Sequence, residues 1–160
     1  MSIDLEALLL DLSGLTDEQA EELGRAEYQS LYARGFGKSS LIAFDGTEVM
    51  FFDDRFDHAF FSTPDRYRRP EAKTKLARDR VERIRWIGPL LQGRIPRTEC
   101  WQALPAANSR INRLCLTAPE LYTVWLEPLK DGRWKFSTAY LVLGEQMAEY
   151  KRNKKLVWKV

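Results

Sequence analysis

The chain has 160 residues, of which 44% are apolar and 30% charged, a composition typical of one globular domain that folds without metal or disulfide staples. The first residues carry acids where a signal peptide would be positive, and no apolar run reaches membrane-span length, so we expect a cytoplasmic protein without membrane contact. Cys100 and Cys115 lack the spacing of zinc ligands, which predicts buried thiols and neither a metal nor another cofactor.

The formal net charge of +2 hides a strong asymmetry along the chain. Residues 1–24 contain seven acids and no Lys or Arg, so the other 136 residues carry a net charge of +9. Residues 66–97 alone contain eleven Lys or Arg and three acids. Such a basic density favours a polyanionic partner, because bases near phosphates gain free energy from counterion release. A solvated helix face is the alternative.

The first third of the chain predicts helices followed by a β-hairpin. Residues 1–36 read as an acidic helical hairpin, whose second helix has Thr16 as its N-cap and Gln19 three residues later. The segments SSLIAF and TEVMFF then predict two short strands that turn at Asp45-Gly46.

The rest of the chain predicts one helix, a sheet and a closing helix. Pro70 is expected to open a long basic helix that ends near Gly93. Four strands follow, in TECWQAL, INRLCLTA, LYTVWLEPL and RWKFSTAYLVL, and GEQMAEYKRNKK predicts a short C-terminal helix. The expected fold over residues 1–160 is a single α+β domain, with N-terminal helices and the long helix packed on a four-stranded antiparallel sheet.

His58 is the only histidine of the chain, and it lies in the aromatic segment FFDDRFDHAFFSTP. An imidazole suits proton transfer at cellular pH, although a ring packed in an aromatic core is the alternative. On the predicted long helix, Lys73 and Arg80 fall on the apolar stripe and Arg83 lies at its border. Bases on such a stripe line a cleft, form buried ion pairs or cover apolar surface with their stems.

The last predicted strand contributes hydroxyl groups. Strict alternation in WKFSTAY places Thr138 and Tyr140 on one face, together with Trp134 and Phe136. Two hydroxyls on one face can orient a phosphate, whereas ordinary strand preference for Thr and Tyr is the alternative.

A magnesium site is the competing hypothesis for the segment before the long helix. Asp65, Glu71 and Lys73 superficially suggest the carboxylate-lysine centre of metal-dependent nucleases. Only six residues separate the two acids, whereas such carboxylates normally come from separate strands, which argues against this site.

Several of these segments resemble one protein family. FDHAFF, the basic RVERIRWIGPLL, YTVWL and WKFSTAY are similar to the phage- and prophage-borne nucleases of the barnase–EndoU–colicin–RelE-like (BECR) superfamily, over residues 50–150. The resemblance implies helices on a four-stranded antiparallel sheet and a metal-independent ribonuclease of the toxin or phage-conflict type. It assigns the active site to His58, Arg80, Arg83, Thr138 and Tyr140. The EndoU group uses two histidines, so one proton-transfer role lacks an obvious residue here.

The chemistry of metal-free RNA cleavage gives each residue a role. His58 would act as general acid or base in 2′-OH attack, and the arginines would stabilise the phosphorane charge. Lys73 and Lys135 are expected to bind substrate. The implied partner is RNA, single-stranded or tRNA-like, and an inhibitor or antitoxin protein is left open. A non-catalytic module that binds nucleic acid or protein on the same fold is the alternative function.

Overall fold

The computed structural model describes residues 3–33, 38–62, 75–103, 113–152 and 154–160. Its α-helices are α1 (Asp17–Leu31), α2 (Arg55–Ala59), α3 (Arg78–Glu82), α4 (Ile87–Leu91) and α5 (Gly144–Lys151). Two 3₁₀ helices cover Glu6–Leu8 and Ile84–Trp86. The strands are β1 (Lys38–Ile42), β2 (Glu48–Phe52), β3 (Phe61–Ser62), β4 (Lys75–Leu76), β5 (Glu99–Ala103), β6 (Leu114–Ala118), β7 (Tyr122–Pro128), β8 (Trp134–Leu141) and β9 (Lys154–Lys159).

The sheet differs from the predicted four-stranded antiparallel sheet. Seven strands form one curled, mixed sheet in the order β1-β2-β8-β7-β6-β5-β9, while β3 and β4 form a separate pair. The four predicted strands lie side by side and antiparallel within it, as β5 to β8. The prediction of the sheet was wrong because β9 adds to β5 and β2 pairs with β8 in parallel. Both pairings are long-range, so the local pattern does not report them.

The N-terminal helical hairpin is also not formed. Only α1 is an α-helix, and it begins as predicted at a capping box between Thr16 and Gln19. The leucine-rich segment before it has a single 3₁₀ turn, and Leu10 donates its backbone N–H to the Glu82 carbonyl at 2.9 Å. Burial of Leu10 and Leu12 against the core replaces the helix that local sequence favours.

The predicted long basic helix is broken into α3, a 3₁₀ turn and α4. Pro70 lies outside the described residues, and the first helical residue described is Arg78, since Lys75 and Leu76 before it pair with β3. Pro89 explains the interruption before α4, since proline has no N–H to donate to residue 85 and its ring would clash with that carbonyl. The C-terminal helix is confirmed as α5.

One face of the sheet carries the core, and we call it the core face. Leu116, Val124 and Phe136 from three neighbouring strands are buried there against the helices. Phe136 stacks on Phe51, with ring centroids 5.3 Å apart, and other rings extend the cluster. The side chains between these residues point to the opposite side, which we call the second face; it includes Trp101, Cys115, Trp125, Thr138 and Tyr140.

Candidate active site at the edge of strand β8

Helix α2 lies against the part of β8 that pairs with β7 on one side but is not paired with β2 on the other. The parallel pairing of β2 with β8 covers only Trp134 and Lys135. Beyond it, Arg55 at the start of α2 donates from Nε to the Ser137 carbonyl at 3.1 Å and from Nη2 to the Ser137 hydroxyl at 2.8 Å. A side chain therefore satisfies the backbone acceptor at this edge of the sheet.

The other end of α2 is held by Arg80. Its Nη1 donates to the Ala59 carbonyl at 3.2 Å, and its guanidinium carbon lies 5.0 Å from the centre of the Tyr140 ring. A cation at this distance from a ring is attracted by the quadrupole of the ring. Arg80, which we predicted as a site residue, thus joins α2 directly to Tyr140 on β8.

His58 lies between these two arginine contacts, in the last turn of α2. Its side chain is half-buried, whereas its neighbours Phe56, Ala59 and Phe60 fill the aromatic core. The phenylalanines of this segment are therefore the core residues, and the imidazole of His58 lies at the edge of the core. On the far side of α2, the exposed Asp57 accepts a hydrogen bond from Arg25 of α1.

The Tyr140 side chain is half-buried with a defined hydroxyl partner. Its oxygen lies 3.1 Å from the hydroxyl of Tyr150 on α5. Burial raises the pKa of the Tyr140 phenol well above its usual value, and the neighbouring Tyr150 hydroxyl raises it further. The indole N–H of Trp125 is a neighbour of the same oxygen, but its geometry is not that of a hydrogen bond. Tyr140 is therefore protonated at neutral pH and able to donate a hydrogen bond.

The alternation that we predicted for β8 is interrupted by a β-bulge. Trp125 pairs with Thr138 while Leu126 pairs with Phe136, so Ser137 is the extra residue. The bulge leaves Phe136 on the core face and puts Thr138 and Tyr140 on the second face. The predicted common face of Phe136 and Tyr140 was wrong for this reason. Thr138 is half-buried and lies opposite Trp125.

Arg83 is directed to other partners than Arg80. Its Nη1 donates to the Asp79 carbonyl at 2.8 Å, and its guanidinium carbon lies 5.0 Å from the Trp86 ring centre. The structure therefore places it against α3 and the 3₁₀ turn, with no contact to Tyr140 among the described residues. Lys73, Asp65 and Glu71 lie outside the described residues.

Lys135 belongs to a charged cluster that the sequence did not reveal. We call it the Glu127 cluster, because one carboxylate of β7 meets three cations. Glu127 lies 3.3 Å from Arg55 Nη2, 3.6 Å from Arg113 Nη2 and 3.6 Å from Lys135 Nζ. The Ser137 hydroxyl donates to the same carboxylate at 3.1 Å.

Glu127 remains ionised within this cluster. Its burial opposes ionisation, but the charges of Arg55, Lys135 and Arg113 and the Ser137 hydrogen bond together lower its pKa below the usual value. The available sequence signal was that Glu127 is the only charged residue of the strand YTVWLEP. Its partners are distant in sequence, so only the fold identifies them.

The two cysteines are free, buried thiols, as predicted. Burial raises the pKa of the Cys115 thiol to about 11, and it raises the pKa of Cys100 further. Neither thiol is ionised enough at neutral pH to serve as a nucleophile.

Two open clefts of the described surface are relevant here. One of about 450 Å³ adjoins Arg80 and is lined by Ser62, Lys75, Leu76, Ala77, Arg78, Asp79 and Arg80. A larger cleft of about 750 Å³ is lined by residues that include Arg94, Arg97 and Val160, and no predicted site residue lines it. The first cleft adjoins the arginine that contacts Tyr140, whereas His58, Thr138 and Tyr140 do not line it. Within the described residues, no cluster of His, Cys, Asp and Glu has a metal-binding arrangement.

Comparison with protein-family models, curated proteins and solved structures found no match for this chain. In the described part of the chain, every helix is too short or too polar to cross a membrane.

Proposed function

We propose that the protein is a metal-independent ribonuclease, of the toxin or phage-conflict type, that cleaves RNA at the edge of β8. The observation that carries the proposal is the position of Arg80, which touches both the Tyr140 ring and the carbonyl next to His58. The Arg80 guanidinium and the neutral Tyr140 hydroxyl would serve a bound phosphate, and we assign proton transfer to His58 because it precedes the Ala59 carbonyl that Arg80 binds. The compartment proposed is the cytoplasm, which suits two unpaired thiols.

In this mechanism, His58 accepts the proton of the RNA 2′-OH as the oxygen attacks the adjacent phosphorus. Negative charge then grows on the equatorial oxygens of the phosphorane, where the Arg80 guanidinium stabilises it electrostatically. The 5′-oxygen leaves with a proton that His58 returns, either directly or through the Tyr140 hydroxyl, which is reprotonated by His58. We assign Thr138 to orientation of the phosphate and Arg83 to its long-range electrostatic attraction. The products are a 2′,3′-cyclic phosphate and a free 5′-hydroxyl.

A non-catalytic RNA-binding module is the second candidate function. The presence of a single histidine favours it, since both proton transfers must then use one imidazole or a half-buried phenol. Such a module would bind RNA through the same cations and release it intact.

The deciding experiment incubates the purified protein with end-labelled single-stranded RNA in EDTA. We expect cleavage to a 2′,3′-cyclic phosphate, no cleavage of the same RNA carrying 2′-O-methyl groups, and loss of cleavage in His58→Ala. Added imidazole should restore part of the activity of His58→Ala, which a purely structural role of the ring would not allow.

Each other outcome has a distinct meaning. Binding without cleavage would support the module and refute the enzyme. Activity that requires Mg²⁺ would instead revive the carboxylate-lysine hypothesis for Asp65, Glu71 and Lys73. Unfolding of His58→Ala, detected by circular dichroism, would return the imidazole to a packing role, and His58→Gln would then be the substitution to assay.

A further inference from the structure

The Glu127 cluster contains more positive charge than its acid can neutralise. Arg55, Arg113 and Lys135 surround one carboxylate, so two positive charges remain uncompensated within the cluster. The two distances of 3.6 Å, to Arg113 and Lys135, exceed hydrogen-bond length, so Glu127 does not occupy the donors of these two side chains.

Accessibility distinguishes the roles of the three cations. Arg55 is committed to Ser137 and is 20% exposed, so it serves the packing of α2 against β8. Arg113 and Lys135 are 43% and 30% exposed, which leaves both head groups reachable from solvent. The Arg113 Nε is buried and has no hydrogen-bond partner among the described residues, so contact with a phosphate falls to the outer part of the guanidinium.

The cluster lies on the same strand as the candidate active site. Ser137 precedes Tyr140 by three residues, which corresponds to about 10 Å along a strand. Arg55 and His58 also share the short helix α2. A nucleic acid whose scissile phosphate lay beside Arg80 and Tyr140 would therefore have another backbone phosphate within reach of the Glu127 cluster.

We propose that Arg113 and Lys135, positioned by Glu127, form a second phosphate subsite that holds the RNA backbone next to the scissile bond. This inference rests on the proposed function for the RNA path, but its binding step is independent of catalysis. Glu127 keeps the two cations in place and limits their net charge. The subsite takes a phosphodiester, because its available donors are two cations that reach solvent.

The test measures affinity for fluorescent 2′-O-methyl RNA in EDTA, a ligand that cannot be cleaved by 2′-OH attack. At about 0.1 M salt, Arg113→Met and Lys135→Met should each weaken binding about fivefold, as expected for one lost contact at a salt slope of about 0.7 per phosphate on single strands. The slope of log affinity against log salt should become shallower by about 0.7 in each variant.

Arg133→Met is the matched control. Arg133 is 41% exposed and belongs to the same hairpin, but Asp131 and Glu48 neutralise it, so its loss should change affinity less than twofold. Equal affinities of the two test variants and the control would overturn the subsite. Unchanged RNA affinity with weaker binding of poly-glutamate would also overturn it, and would indicate an acidic protein partner.

Failure of the subsite and failure of the ribonuclease are separable. Cleavage of ordinary RNA together with unchanged affinity in Arg113→Met would leave the enzyme and remove the subsite. Loss of affinity in a protein that never cleaves RNA would establish the subsite in a binding module.

Discussion

Replacing Arg80 by Met tests the centre of the proposed site. The substitution keeps much of the aliphatic stem but removes the hydrogen bond to Ala59, at 3.2 Å, and the cation above the Tyr140 ring, at 5.0 Å. Both contacts are partly buried. A hydrogen bond from a charged donor contributes about 1.5–3 kcal/mol and a cation–π contact about 0.5–2 kcal/mol, and partial exposure favours the lower values.

The stability cost is therefore about 2 kcal/mol. For a domain of this size, that lowers Tm by about 4–8 °C, and it leaves the protein folded at 25 °C because typical stabilities are about 5–15 kcal/mol. The catalytic cost should be larger, since removing one electrostatic stabiliser of a transition state costs about 100-fold to 1000-fold in kcat. The loss of activity thus exceeds what unfolding can explain.

The assay combines thermal unfolding with initial rates of RNA cleavage in EDTA. Arg85→Met is the control, because Arg85 pairs with Glu27 at 2.7 Å, away from α2. A half-exposed pair of this kind contributes less than about 1 kcal/mol, so its loss should leave kcat within about twofold. A normal cleavage rate in Arg80→Met, with the expected fall in Tm, would refute the assignment of Arg80 to transition-state stabilisation.

Three further predictions concern other parts of the fold. The pKa of Glu127 is lowered on folding, so the stabilisation by its carboxylate is present above the unfolded pKa of about 4.3 and is lost as pH falls through the lower folded pKa. Urea unfolding at pH 7, 4 and 3 should therefore show a steeper fall in the free energy of unfolding for wild type than for Glu127→Gln. Equal falls in the two proteins would contradict this prediction. Gly24→Ala should lower the free energy of unfolding by about 1–2 kcal/mol, because a Cβ there would lie 2.7 Å from Val81 Cγ1 and the overpacking outweighs the helix-propensity gain of about 1 kcal/mol. A raised Tm would contradict this, and would show that α1 and α3 can move apart to accept the methyl group. Tyr140→Phe keeps the ring but removes the hydroxyl that lies 3.1 Å from the Tyr150 hydroxyl, at a stability cost of about 1 kcal/mol. Because the proposed mechanism uses this hydroxyl in proton transfer, kcat should fall about 100-fold. A wild-type kcat in this variant would remove the hydroxyl from the mechanism.

Local features of the fold could be predicted from the sequence. The capping box at Thr16 and the turn at Asp45-Gly46 follow from the chemistry of a few adjacent residues, and both are confirmed. The four central strands and α5 were likewise recognised, because alternation and turn residues mark them without reference to the rest of the chain.

Features that depend on distant partners could not be predicted in this way. The leucines of the N-terminal segment fit a helix by themselves, but burial against α3 selects an extended backbone. The basic residues of β9 suggested a helix end, whereas pairing with β5 makes them a strand. The Glu127 cluster combines residues from α2, β7, β8 and the start of β6, so no short motif contains it.

The location of the candidate site follows from one mismatch in the sheet. The parallel pairing of β2 ends after Lys135, and the bulge at Ser137 then turns the following side chains of β8 away from regular alternation. An edge of this kind exposes backbone acceptors, and Arg55 satisfies one of them at Ser137. That contact seats α2, and with it His58, beside the strand that carries Tyr140. Restoring a regular strand by deleting Ser137 should therefore displace α2 and abolish RNA cleavage, even where the hydrophobic core is retained.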